Sequence, residues 1–154
     1  MNGQDREAAE WIAGYRRRLV DTQERSREML SQALELGWPD AGFAGSPFPV
    51  EYVTRILHSE RPREEKHQLL TYLLCHWYSD SVDGEWAYVP MRVTTPELYL
   101  QFGLGVSISG TSMMNLTEGA RDLIDGQDVD FAKEYYETSV RIALRNRAAH
   151  DMGE

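Results

Sequence analysis

The sequence predicts an all-α fold, a helical bundle of five or six helices with at most one small β element near 85–93. Three observations carry this expectation. Residues 5–36 place Ala8, Ile12, Tyr15, Leu19, Thr22, Ser26, Met29, Ala33 and Leu36 at alternating four-three spacing, the seam of a bundle helix. The segment "LLTYLLCHWY" (69–78) is apolar on nearly every side, as a central buried helix must be. From Asp128, a good N-cap residue, a stripe of Val129, Ala132, Tyr136, Val140 and Ala143 continues to about Arg147.

The first helix stops at Gly37, with Pro39 just beyond it. Thr22 and Ser26 make the middle of its seam small and polar, leaving room either for a ligand or for a large side chain from a partner. The loop "GWPDAGFAGSPFP" (37–49) is too rich in Gly and Pro for regular structure. A short helix, "VEYVTRILHS" (50–59), follows, and the central helix opens near Pro62 and runs to about Tyr78. Residues 79–93 combine turn formers with an aromatic, β-prone run, which reads as a loop or a short hairpin. Thr94 and Glu97 have capping-box spacing and predict a helix start. "FGLGVSISGTS" (102–112) fits a strand, a broken helix or a helix in close contact with a neighbour. Helical pattern resumes in "MMNLTEGARDLI" (113–124).

With 154 residues, no internal repeat and no low-complexity tract, residues 1–154 are expected to form one domain able to bury a sizeable core. A net charge of -9 argues against broad, sequence-independent nucleic-acid binding, which needs a basic surface, but leaves room for a small basic site. Cys75, the single cysteine, sits in a core-like context and excludes an intrachain disulfide. No secretory pattern opens the chain and no apolar run nears membrane-spanning length, so a cytoplasmic protein without membrane contact is expected. Part of the long 8-to-36 seam is expected to bury against a second chain, making a homodimer.

Against this acidic background, "ALRNRAAH" (143–150) gathers Arg145, Asn146, Arg147 and His150 within about two helical turns. Acidic residues crowd the start of the same helix, at Asp125, Asp128, Asp130, Glu134 and Glu137. A helix charged in this way complements its own macrodipole and needs no further function. The same residues also suit phosphate chemistry: Arg offers a planar fork of donors and His moves protons near neutral pH. Such a set, working without a metal or other cofactor, suits RNA cleavage by the 2′-hydroxyl.

"RNRAAH" resembles the R-N-x-x-x-H motif of the HEPN superfamily, small helical domains that include metal-independent RNase toxins. The resemblance implies that Arg145 and His150 form a catalytic pair, with Asn146 as the accompanying polar residue. It also implies an RNA substrate and a dimer that sets two motifs on one composite cleft.

Other constellations point elsewhere. Glu64 and His67 have the Glu-x-x-His spacing of di-iron bundles, but His58, His76 and His150 lack an acidic residue three positions earlier, so no second pair completes a site. His76 and Asp80 are two ligands, too few to specify a metal. Gly103, Gly105 and Gly110 fit neither a dinucleotide fingerprint nor a P-loop. Aromatic residues supply the alternative. His76, Trp86, Tyr99 and Phe102 are candidates to line an apolar pocket for a small-molecule enzyme or binding protein. Plain helix packing accounts for the same residues, and a non-catalytic interaction or immunity protein fits the acidic surface equally well.

Overall fold

The computed structural model describes residues 3–34, 42–90, 102–108 and 112–151. In chain order these form α1 (Gly3–Leu34), α2 (Val50–His58), α3 (Arg63–Val82), β1 (Glu85–Pro90), β2 (Phe102–Ile108), β3 (Ser112–Asn115), α4 (Leu116–Ile124) and α5 (Val129–Asp151). The chain is predominantly helical. It is not purely all-α, because β1, β2 and β3 make an antiparallel sheet in that order. Residues 85–90 of the expected β element at 85–93 are one strand of this sheet, and residues 102–108 of the ambiguous Gly/Ser stretch are another.

Strand β2 owes its conformation to its neighbours. Trp86 pairs with Val106 and Ala87 with Gly105 on one side, while Gly105 pairs with Asn115 on the other. Gly105 is required there: a Cβ would lie 2.1 Å from the Met114 carbonyl oxygen. The expectation of helix from 113 is corrected. Residues 112–115 are strand, and α4 begins only at Leu116, where the Asn115 side chain accepts the Glu118 N–H at 3.0 Å. The helix start expected at 94–97 lies outside the described residues.

Helix α3 is the axis of the core. Leu69, Leu70, Leu73, Leu74, Cys75, His76, Trp77 and Tyr78 are all at most 1% exposed, which explains its all-round apolar composition. Around it pack Leu19, Leu30 and Leu34 of α1, Val53 and Ile56 of α2, Val106 of β2, Leu116 and Ala120 of α4, and Ala132 and Tyr136 of α5. Of the four-three seam, Tyr15, Leu19, Ser26, Met29 and Ala33 do face the core, but its most buried line towards the C-terminal end shifts to Leu30 and Leu34. A straight helix of 3.6 residues per turn drifts off a seven-residue repeat over this length. This part of the seam is buried within the chain, against α3 and α2. No helix among the described residues is long and apolar enough to cross a membrane.

Candidate functional site

Helix α5 starts at the expected cap: Asp128 Oδ2 accepts the Phe131 N–H at 3.2 Å. It then runs unbroken to Asp151, through the whole of "RNRAAH". Positions 145 and 150 on an unbroken helix stand roughly 140° apart around its axis, and no break brings them round. Arg147 serves the fold. Its Nη1 donates to the Val82 carbonyl and, at 3.1 Å, to the Asp83 carbonyl, at the C-terminal end of α3 where Asp83 takes a left-handed φ of 52°. A cation there meets the negative end of the helix dipole. Arg145 and Asn146 are exposed. The basic end of α5 is thus divided between a helix cap and free surface.

His76 and Trp86, proposed for an aromatic pocket, form a packed pair instead. Their rings lie 4.6 Å apart at 62°, and both residues are buried. Ser26 lies within 2.7 Å of both the Gln23 carbonyl and His76 Nε2. Its one hydroxyl proton goes to the carbonyl, so Nε2 carries the imidazole proton and donates to Ser26 Oγ. Burial, reinforced by the charge of Arg27, lowers the His76 pKa to about 3 and keeps the ring neutral. Ser26 therefore accommodates a core histidine of its own chain, which settles one half of the small, polar seam. Trp86 Nε1 donates to Ser79 Oγ at 3.2 Å, completing a satisfied interior network. Tyr99 lies outside the described residues, and Phe102 is placed only as the register partner of Pro90.

Thr22, the other polar seam residue, borders a groove of about 620 Å³ together with Glu64, His67, Tyr72 and Tyr88. His67 Nε2 donates to the Thr117 carbonyl at 2.8 Å, so that nitrogen holds α3 to α4. Among the described residues, no group of three or more His, Cys, Asp or Glu is placed to hold a metal ion.

A second groove is more apolar. Between the end of the sheet and the outer face of α5 runs an apolar groove of about 440 Å³. Met113 and Met114 of β3 form one wall, and Phe131, Tyr135 and Ile142 of α5 form the other. Met113 is 57% exposed, Phe131 58%, Tyr135 52% and Ile142 49%. Large apolar side chains left half in water in one cluster mark a surface that takes a partner or ligand. The Tyr78 hydroxyl lies on the floor, 2.8 Å from Ser139 Oγ, and Asn146 closes one end. Burial raises the Tyr78 pKa, against a smaller opposing effect of Ser139, so the hydroxyl stays protonated at neutral pH. Past Met113 and Phe131 the groove continues into a second compartment of about 410 Å³, bordered by Asn115, Glu118 and Asp122.

Of the apolar stripe of 129, 132, 136, 140 and 143, which faces the core, Ala143 borders the groove and Tyr136 the second compartment, but the exposed walls lie outside that stripe. A second stripe was present in the same helix. Phe131, Tyr135, Thr138 and Ile142 follow four-three-four spacing. Comparison of the chain with family models, with curated proteins and with solved structures finds no match to any of them.

Proposed function

We propose that the chain is a binding protein for a neutral or cationic apolar compound, held in the groove between β3 and α5. The observation that carries this reading is the grouping of Met113, Phe131, Tyr135 and Ile142 around one concavity within the size range of small-molecule sites. The groove supplies hydrophobic walls, with Tyr78, Ser139 and Asn146 as its polar groups. Glu134 on the rim and Glu118 and Asp122 in the second compartment disfavour an anionic ligand. The neutral dye Nile red tests this directly. Saturable fluorescence enhancement is expected, and Ile142→Glu, at a half-exposed position, should weaken it about tenfold or more while thermal unfolding stays near that of the parent. Absence of binding, or equal binding by the variant, refutes the reading.

A second reading is a HEPN-like ribonuclease, or an inactive relative, using Arg145, Asn146 and His150. Its support is the exposed Arg145 next to Asn146, which borders the groove, on an otherwise acidic chain. Because α5 is unbroken, the Arg and His of one site would be drawn from two chains across a dimer. The expected outcome is RNA cleavage that survives EDTA and is lost in Arg145→Ala and His150→Ala. Activity that persists in both variants refutes it.

A further inference from the structure

The groove is open along the outer side of α5, and that side carries a seam of its own. Phe131, Tyr135, Thr138 and Ile142 recur at the spacing of coiled-coil core positions, and the three large ones among them are about half exposed. Glu134 and Arg141 stand seven residues apart, on the same flank of this seam. Both are exposed. Arg141 donates to the Thr138 hydroxyl at 2.9 Å and its charge reaches Glu137 one turn back, while no salt bridge among the described residues uses either Arg141 or Glu134.

Opposite charges at equivalent flanking positions have a geometric consequence. If two such helices lie antiparallel about a two-fold axis, each flank meets its own equivalent in reverse order. Glu134 then faces Arg141 of the partner subunit, and Arg141 faces Glu134 of the partner subunit. A parallel pairing sets this flank against the opposite flank of the partner, where the facing positions five residues on are the uncharged Ser139 and Asn146, and leaves both charges unmatched. The wider helix has the same polarity, with Asp128, Asp130 and Glu134 in its first half and Arg141 and Arg145 in its second.

We infer that a second copy of this chain docks on the outer face of α5, antiparallel to it, and roofs the groove. The occupant of the seam is thus the chain itself, and the open groove becomes a closed site only in the dimer. As a roof over a ligand the inference rests on the binding reading above; as an association face it does not.

The test is a charge swap read by sedimentation on the full chain, with and without Nile red. The parent protein is expected to sediment at twice its 17.7 kDa chain mass. Glu134→Arg and Arg141→Glu should each weaken dimerisation about tenfold or more, because each turns two symmetry-related attractions into repulsions. The double variant carrying both swaps should recover the dimer, a rescue that a purely structural role for either residue does not produce. A parent that stays monomeric at high concentration overturns the inference, as does a dimer indifferent to both single swaps. Nile red bound by a monomer leaves the binding reading standing alone. A rescued dimer that binds no Nile red leaves the association face standing and removes the ligand.

Discussion

His76 makes the stability of this protein sensitive to mild acid, and the size of the effect follows from its setting. In the unfolded chain the imidazole titrates near its ordinary value of 6.5, whereas burial beside Trp86, aided by the Arg27 charge, lowers the folded value to about 3. The folded-state pKa is depressed, so the contribution to stability is complete above 6.5 and is lost as pH falls toward 3. Within that window the unfolded chain binds a proton that the folded chain refuses. Stability therefore falls by about 1.4 kcal/mol per pH unit. Between pH 7 and pH 5 the loss from this one residue comes to about 2 kcal/mol. The Glu137 carboxyl, held below its ordinary value chiefly by its hydrogen bond with Lys133, titrates at more acidic pH than this window. Urea unfolding followed by tryptophan fluorescence at pH 7 and pH 5 gives the measurement. In His76→Gln, which keeps a polar side chain without a titratable ring, the acid-induced loss should shrink by about 2 kcal/mol. If parent and variant lose the same stability between the two pH values, His76 is not held neutral by burial and the reasoning fails.

Three further substitutions examine the frame around the groove. Gly105→Ala should cost about 2 kcal/mol or more, lowering the melting temperature by at least about 4 °C, because its Cβ would stand 2.1 Å from a backbone oxygen and 2.9 Å from Val89 Cγ2. Gly14→Ala on α1, where nothing lies within 4 Å of the new Cβ, should raise stability by a few tenths to about 1 kcal/mol. Arg147→Ala removes the cation that meets the α3 carbonyls; with a side chain 29% exposed, it should cost about 1 kcal/mol, read as a drop of about 2–4 °C in thermal unfolding.

Much of the helical frame was legible locally. The caps and periodicities of 5–36, 62–78 and 128–147 correspond to α1, α3 and α5, because a helix makes its hydrogen bonds within one segment and its signals are contiguous. The sheet was less legible. Whether 102–108 becomes strand depends on pairing with residues 85–90 and 112–115, contacts that no short window contains. Met113 and Met114 are a clear example: next to the helical run 116–124 they read as its first turn, yet β2 takes them as an edge strand.

The candidate site divides in the same way. Helix α5 carries two apolar stripes, and both were readable as side-chain spacing: 129, 132, 136, 140 and 143 on one side, 131, 135, 138 and 142 on the other. The sequence alone determined that this helix is amphipathic twice over, since angular position on a helix follows from residue number. Only the tertiary structure decided which stripe would be buried. Tyr136 stacks on Phe48, Arg147 grips the end of α3, and these long-range contacts orient the first stripe inward. With the helix held at that rotation, Phe131, Tyr135 and Ile142 are left in water beside Met113. Rotation about a helix axis costs nothing locally and is set by what the helix packs against, so the groove exists only in the assembled fold.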